Sequence, residues 1–343
     1  MGKIIAVAMS GGIDSMMAAY FLKEQGHSVI GIHFVTGYEK ENYEAELFNV
    51  AEKLKIPLKI VDISLDFKTK VIDYFKSTYE SGKTPNPCLV CNDRVKFGTI
   101  LNIVKDLGAS HLATGHYARI VSDDIGRFHL LKGIDAAKDQ SYFLAFLSQK
   151  QLSCAIFPLG DMTKLYVKEL AKSLGLEAVL KEESQDVCFI KGKTYGEFLK
   201  EFAGFKTKQG YIKDTSGKIL GIHNGLHLFT IGQRRGINCP AKLPYHVVSI
   251  CPDENVLIVG FKEELFKSQC EIVDINWINE CPNFPMKIDI RLRYRNKAAK
   301  AALFLKGDNS LIAEFEEPQS SITPGQGAVF YIGDEVIGAG WIR

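Results

Sequence analysis

The stretch KIIAVAMSGGIDSMMAAYFLKEQG, residues 3–26, constrains the fold of this chain more than any other segment. Residues 4–9 are all apolar, so 3–9 predicts a buried strand, and residues 14–26 predict a helix. Gly11 and Gly12 make the turn between them and let backbone amides approach a ligand closely. The N-terminus of a helix at the same point favours a bound anion. The segment therefore predicts a phosphate-binding loop between a strand and a helix.

Strand-like and helix-like segments alternate over the first half of the chain. Further strands are predicted at 28–35, 57–63 and 111–118, with helices near 40–54, 65–80 and 97–107. Another helix is predicted after Thr163, which has the side chain of an N-cap. This alternation is typical of a parallel sheet that is covered by helices on both faces.

The texture of the sequence changes from about residue 205, where glycines become frequent and helical periodicity disappears. Past about residue 265 the chain has the pattern of short strands separated by turns. At 343 residues it also exceeds the size at which one hydrophobic core keeps growing. We therefore predict an α/β fold with three parts: an N-terminal α/β sheet domain (1–200), a small central domain (201–265) and a C-terminal β-barrel (266–343).

Charge and hydropathy narrow the class of partner. The net charge of +2 is close to zero, so a polyanionic partner must be met by a local basic patch. The N-terminal apolar run is too short for a secretory signal, and no later run approaches the length of a membrane span. We expect a cytoplasmic protein with no membrane partner, whose eight cysteines do not form a disulfide framework.

Two cysteines, Cys88 and Cys91, lie three positions apart in TPNPCLVCNDRVKFG, residues 84–98. Such a pair can be half of a zinc site, a redox pair, part of a cluster ligand set or two unrelated thiols. No second Cys-x-x-Cys or His pair completes a four-ligand zinc site. A thioredoxin-like pair would begin a helix after a strand, whereas this pair is predicted in a loop bounded by prolines.

The glycine loop resembles the Ser-Gly-Gly-x-Asp-Ser loop of the PP-loop ATP pyrophosphatases, and it lacks the Gly-Lys-Ser/Thr of a Walker A motif. The resemblance implies use of ATP and Mg²⁺, with the loop holding the β- and γ-phosphates. A substrate oxygen would attack the α-phosphate, giving an adenylated substrate and pyrophosphate. The implied ATP-binding residues, with Asp14 also a magnesium ligand, are Ala8, Met9, Ser10, Gly11, Gly12, Ile13, Asp14, Ser15, Phe34 and Gly115.

Further stretches narrow the family: TPNPCLVCNDRVKFG, LATGHYAR with KDQSYFL, ESQDVCFI, FTIGQRRGI and the tail EEPQSSITPGQGAVFYIGDEVIGAGW. In this order, along the whole chain, they resemble the bacterial tRNA-specific 2-thiouridylases. The resemblance implies an enzyme that replaces the C2 oxygen of the wobble uridine with sulfur. The partners that it implies are tRNA, with lysine, glutamine and glutamate acceptors, and a sulfur-donor protein such as a cysteine desulfurase or a sulfur carrier.

The resemblance also assigns roles to the cysteines. Cys91 matches the catalytic nucleophile and Cys188 the carrier of the persulfide, and a disulfide between them releases the transferred sulfur. Both are expected to have lowered pKa values, for which Arg94 and Lys96 are nearby candidate charges. Many members carry aspartate where this chain has Cys88. One interpretation is a 4Fe–4S cluster on three thiols, with one iron left open, and the other is an unchanged persulfide route.

The resemblance places tRNA contacts at Asn86, Pro87, Cys88, His116, Lys138, Asp139, Gln140, Arg293, Tyr294, Arg295 and Gln326. Independently, the period-two alternation of residues 287–297 predicts a strand with Arg291, Arg293 and Arg295 on one face. Three arginines so placed would form a phosphate-binding stripe.

Two other functions compete with this interpretation. A PP-loop amidotransferase or synthetase that acts on a small molecule would leave the basic strand and the paired cysteines unexplained. A non-catalytic RNA-binding protein with a vestigial loop is disfavoured because the serines, glycines and aspartate of the loop are all intact.

Overall fold

The computed structural model describes residues 3–39, 44–176, 187–202, 204–205 and 207–343. The strands, numbered in chain order, are β1 (Ile4–Ala8), β2 (Ser28–Val35), β3 (Leu58–Asp62), β4 (His111–Ala113), β5 (Ala118–Ser122), β6 (Phe128–Lys132), β7 (Ala155–Ile156), β8 (Gly210–Asp214), β9 (Ile219–His223), β10 (His246–Cys251), β11 (Val256–Gly260), β12 (Phe266–Trp277), β13 (Met286–Arg291), β14 (Ala299–Gly307), β15 (Ser310–Ser320), β16 (Gly327–Ile332) and β17 (Glu335–Ile342).

The α-helices, also in chain order, are α1 (Ile13–Glu24), α2 (Glu44–Leu54), α3 (Ser64–Phe67), α4 (Asp73–Glu80), α5 (Pro87–Val90), α6 (Leu101–Asp106), α7 (Gln149–Leu152), α8 (Lys164–Ser173) and α9 (Tyr195–Phe202). Two π-helical segments, Lys68–Ile72 and Cys91–Ile100, join α3 to α4 and α5 to α6. Residues 40–43 of the predicted second helix and residues 183–186 of ESQDVCFI lie outside the described residues.

A parallel five-stranded sheet with the order β3-β2-β1-β4-β7 forms the N-terminal part of the molecule. Strand β1 is buried on both faces: Ala6 and Ala8 belong to one hydrophobic core, and Ile5 and Val7 belong to the other. Burial on both faces explains the uninterrupted apolar run in the sequence. The predicted α/β class is confirmed.

Strand β4 is shorter than the sequence predicts. It ends at Ala113, and the next strand begins only at Ala118, so the predicted strand over 111–118 is wrong beyond its third residue. The residues between leave the sheet because Gly115 passes directly over the phosphate loop. A Cβ atom on Gly115 would lie 2.7 Å from the carbonyl carbon of Asp14.

The segment with the paired cysteines is helical, which corrects the prediction of a loop followed by a helix near 97–107. The helical stretch runs without a break over residues 87–106. Asn86 is its N-cap, with Oδ1 accepting a hydrogen bond from the backbone N–H of Leu89 at 3.4 Å. Pro87 occupies the first helical position, where its missing N–H and fixed φ fit the helix. The prediction was wrong because the prolines were taken to bound a loop.

The second half of the chain forms two further sheets. A four-stranded sheet has the order β10-β11-β8-β9. Strands β12-β15-β14-β13-β16-β17 form an antiparallel barrel that closes through the pairing of β12 with β17. The sequence does not predict the hairpin of β5 and β6, which comes from the N-terminal half and adds to the barrel beside β17. The predicted central domain and C-terminal barrel are confirmed as fold types.

The predicted arginine stripe is wrong in its geometry. Strand β13 ends at Arg291, and the residues that follow it form a bend and a turn. Arg293 and Arg295 therefore do not continue a strand face. The alternation of apolar and basic residues was correct only as far as the strand itself extends.

Candidate active site

The phosphate loop between β1 and α1 is held by its own side chains. The Ser15 hydroxyl donates to the carbonyl oxygen of Gly12 at 2.9 Å. It also accepts from the backbone N–H of Ser10 at 3.2 Å. Gly11 has φ +79°, a left-handed conformation that favours glycine. These contacts form a compact turn next to the start of α1, where an anion is favoured.

Asp14 lies at the centre of a charge cluster that the sequence analysis missed. Its carboxylate oxygens lie 2.7 and 2.8 Å from Nζ of Lys164, and Oδ1 accepts from the Tyr117 hydroxyl at 2.8 Å. Lys164 is buried and is the first residue of α8, after the N-cap Thr163 that the sequence correctly predicts. Asp14, Tyr117 and Lys164 are far apart in the sequence, and only the fold brings them together. No sequence motif therefore predicts their contact. A magnesium ion at Asp14 would have to share the carboxylate with Lys164.

His116 follows Gly115 at the same edge of the sheet. It is buried, and its Nδ1 lies 2.6 Å from Oγ1 of Thr114. Burial, together with the positive charge of Lys96, holds the pKa of His116 well below 6.5, so the ring is neutral near pH 7.

Phe34, the predicted adenine contact, lies near the end of β2, next to the phosphate loop. Its ring is stacked with that of His33, with ring centroids 6.3 Å apart. Nδ1 of His33 lies 2.8 Å from the carbonyl oxygen of Met9, which ties β2 to the start of the loop. Phe34 is partly buried and packs against one of the two N-terminal cores.

The cysteines have raised rather than lowered pKa values, which corrects the expectation from the sequence. Cys88 and Cys91 lie partly buried in the first turns of the helical stretch 87–106, and Cys188 is exposed. Burial raises the pKa of Cys88 to about 11 and that of Cys91 to about 12. A thiol with such a pKa is protonated near pH 7 and is a poor nucleophile.

Lys96 connects the cysteines to the nucleotide side of the site. Its positive charge lowers the pKa of Cys88, Cys91 and Cys188, and it also acts on His116. The Cys188 and Cys88 thiols in turn raise the pKa of Cys91. Cys88, Cys91, Cys188 and His116 therefore all lie within the electrostatic influence of Lys96.

The thiols do not match the arrangement expected of a cluster ligand set. Within the described ranges, no group of three or more His, Cys, Asp or Glu side chains is placed to hold a metal ion. We therefore assign no step to an iron–sulfur cluster.

Several predicted tRNA contacts are used within the protein. Asp139 is buried and pairs with Arg291 at 3.0 Å, and Gln140 accepts from the backbone N–H of Tyr117 at 3.0 Å. Arg293 donates to the carbonyl oxygens of Ile231 and Ser321 and to the Thr323 hydroxyl.

The remaining predicted tRNA contacts differ in exposure. Gln326 contacts Asn86 and the residues before it, and Pro87 is buried. Lys138 and Tyr294 are partly exposed, and Arg295 is exposed on the turn after β13. Contact of each of these residues with tRNA stays a prediction.

Comparison with known families agrees with this architecture. Residues 3–192 match the tRNA methyl transferase HUP domain, 196–261 the tRNA methyl transferase PRC-barrel domain, and 267–342 the aminomethyltransferase β-barrel domain. The chain is 46% identical over 340 residues to the tRNA-specific 2-thiouridylase MnmA of Desulfosudis oleivorans, covering 99% of this chain and 95% of the relative. The chain belongs to the tRNA-specific 2-thiouridylase family. It is therefore an enzyme of the tRNA-modifying transferase class, and the two rival functions are excluded.

A second member of the family, MnmA of Geobacter metallireducens, is 43% identical over 355 residues, which cover 99% of this chain and 96% of the relative. Among solved structures, a U34-tRNA thiolase of Methanococcus maripaludis, described with its 4Fe–4S cluster, has 23% identity and a TM-score of 0.37. That match covers 55% of this chain and 63% of the other. It is too weak to transfer any property. Among the described residues, no helix has the length and apolar character of a membrane span.

Proposed function

We propose that this chain catalyses ATP-dependent 2-thiolation of the wobble uridine of tRNA. The observation that carries the proposal is the phosphate loop, whose Asp14 is held by Lys164 and Tyr117, together with Cys91 and Cys188 in the same N-terminal domain. A reaction that first activates an oxygen with ATP and then delivers sulfur needs these two chemistries next to each other. Family membership supports tRNA as the substrate.

The first step is adenylation. The uridine C2 oxygen attacks the α-phosphate of ATP, the bond to the β-phosphate breaks, and pyrophosphate leaves. The loop amides around Gly11 and Gly12 bind the departing phosphates, and magnesium arrives with the nucleotide. Asp14, fixed by Lys164 and Tyr117, orients this end of the site. The product is a uridine whose C2 oxygen leaves readily as AMP.

The second step is sulfur transfer. The sulfur donor leaves a persulfide on Cys188, and its outer sulfur attacks C2, so AMP departs with the former C2 oxygen. The thiolate of Cys91 then attacks the inner sulfur of Cys188. A Cys91–Cys188 disulfide forms, and the outer sulfur stays on the uridine as the 2-thio group. A thiol reductant supplies two electrons that restore both cysteines.

The raised thiol pKa values indicate that the cysteines are protonated in the enzyme without substrates. Burial keeps Cys91 protonated, with a pKa of about 12, and a protonated thiol is a poor nucleophile toward other electrophiles. Lys96 stabilises the thiolate when one forms. Cys88 is an auxiliary thiol beside this pair and takes no obligatory part in the persulfide route.

The partners of this reaction are tRNAs with lysine, glutamine and glutamate acceptors and a sulfur-donor protein, a cysteine desulfurase or a sulfur carrier. We propose that the reaction takes place in the cytoplasm.

The test incubates the enzyme with unmodified tRNA, ATP, magnesium, a reductant and a persulfide donor, followed by mass spectrometry of the nucleosides. We expect 2-thiouridine with the parent enzyme and with Cys88→Ala, and none with Cys91→Ala or Cys188→Ala. Cys281→Ala, which alters an exposed cysteine outside the site, is the matched control and should behave as the parent. Absence of 2-thiouridine with the parent enzyme under both aerobic and anaerobic conditions would refute the proposal.

A further inference from the structure

We propose that Gln326 is a positioning residue for the catalytic cysteine, because it fixes the start of the helical stretch that carries Cys91. The inference rests on the function proposed above for Cys91. It goes beyond that function because the family resemblance assigns Gln326 only to contact with the RNA.

The Gln326 side chain forms its hydrogen bonds with residues 84–86, which lead into the helix. Nε2 donates to the carbonyl oxygens of Thr84 and Pro85, each at 3.0 Å. Oε1 accepts from Nδ2 of Asn86 at 3.4 Å. A glutamine amide offers two donor hydrogens and one acceptor oxygen, so both of its donors and its acceptor are engaged within the protein.

Asn86 links this contact to the cysteines. Its Oδ1 caps the helix at the backbone N–H of Leu89, and its own backbone N–H donates to the Tyr74 hydroxyl at 3.2 Å. Asn86 is 8% exposed, so its polar atoms depend on protein partners rather than on water. Cys88 and Cys91 follow within the next two turns. A displacement of the cap therefore displaces both thiols.

The barrel holds Gln326 rigidly in this position. Its backbone carbonyl accepts from the N–H of Ile342 at 2.9 Å, and the neighbouring Gly325 donates to the carbonyl of Ile342 at 2.8 Å. Thr84 donates through its backbone N–H to the carbonyl of Pro324 at 2.9 Å. Gly325 itself packs so closely that a Cβ atom there would lie 2.8 Å from the Thr84 carbonyl oxygen.

These contacts tie the last strand of the barrel to the first turn of the catalytic helix. Removing the Gln326 amide leaves two carbonyl groups and the Asn86 side chain without that partner, and local opening of the helix start becomes easier. Opening exposes Cys91 even when no RNA is bound. A residue that only touched RNA would not change the free enzyme.

The experiment measures the rate at which iodoacetamide alkylates each cysteine of the RNA-free, full-length enzyme, with peptide mass spectrometry to assign the sites. The variants are Gln326→Ala and Gln326→Glu, since a carboxylate keeps the shape but cannot donate to two carbonyl oxygens. The matched control is Gln319→Ala, which alters a partly exposed glutamine of β15 in the same barrel, whose Nε2 donates to the carbonyl oxygen of Glu317. Cys270, buried in the barrel core, reports global unfolding in the same sample.

We expect alkylation of Cys91 to rise about threefold or more in both Gln326 variants, with Cys270 and the Gln319→Ala protein unchanged. We also expect the yield of 2-thiouridine per AMP released to fall. Unchanged Cys91 alkylation with weakened tRNA binding would overturn the inference, as would a parallel rise at Cys270. Because alkylation needs no turnover, a failed thiolation assay and a failed positioning role are distinguished.

Discussion

At the scale of single residues, the sequence predicts contacts between neighbours in the chain but not contacts between residues that are far apart in it. Ser10, Gly11 and Ser15 could be predicted because their contacts lie within one short turn. Lys164 could not, because only the packing of α8 against α1 brings it to Asp14. The N-cap Thr163 predicts that Lys164 begins a helix. Nothing in the sequence relates Lys164 to the phosphate loop.

We predict that Lys164→Met lowers ATP-dependent AMP release about tenfold or more, because Asp14 loses the cation that fixes it. Lys164→Arg should retain part of the activity, since it restores a positive charge with different geometry. The rate of AMP release with saturating tRNA is the measurement, and tRNA affinity should change by less than about twofold. Lys172→Met, on the exposed side of the same helix, is the control. Full AMP release by Lys164→Met would show that the ion pair is dispensable.

The ionisation of the cysteines is also a property of the folded environment. The sequence places Arg94 and Lys96 close to Cys91, and proximity alone suggests a lowered pKa. In the structure, burial outweighs the charge of Lys96, and Arg94 lies beside Asp93 instead. The sign of a thiol pKa shift depends on how much water the fold removes, which spacing along the chain does not specify.

At the scale of elements, hydrophobic periodicity predicted β1 to β4 of the parallel sheet and the strand-and-turn pattern of the barrel, since burial imposes the same pattern that the sequence displays. It did not predict β7, which has only two residues. It failed where a special residue decides the geometry. Pro87 was taken to bound a loop although it begins a helix, and Gly115 was placed in a strand although it passes over Asp14. The alternation after Arg291 continued in the sequence, but the strand did not.

The turn after β13 gives Arg293 and Arg295 different roles. Arg293 donates hydrogen bonds within the protein, and Arg295 is exposed. We predict that Arg293→Ala lowers the unfolding midpoint, by about 2–4 °C for each 1 kcal/mol lost, because it leaves the carbonyl oxygens of Ile231 and Ser321 without their donor. Thermal unfolding of the full chain measures this effect.

Arg295→Ala serves as the matched variant, because Arg295 is exposed. It should leave the midpoint unchanged but reduce the salt slope of tRNA binding by about one unit. The reverse pattern, with Arg295→Ala destabilised and Arg293→Ala altered only in its salt slope, would contradict the assignment.

At the scale of the whole molecule, the changes in glycine content and hydrophobic periodicity along the sequence predicted three domains. They did not predict how these domains contact one another. The β5–β6 hairpin extends the barrel, the buried pair of Asp139 and Arg291 crosses between the same two parts, and Gln326 reaches the cap of the catalytic helix. These contacts involve residues far apart in the chain, which periodicity does not relate. They make the position of Cys91 depend on the barrel as well as on its own domain.

The most direct test of the central claim follows the oxygen that leaves the base. A tRNA labelled with ¹⁸O at C2 of the wobble uridine is incubated with the enzyme, ATP, magnesium and a persulfide donor, and the AMP is analysed by mass spectrometry. If the C2 oxygen is adenylated before sulfur arrives, each 2-thiouridine formed is accompanied by one AMP that carries ¹⁸O. Formation of 2-thiouridine with unlabelled AMP would contradict the account.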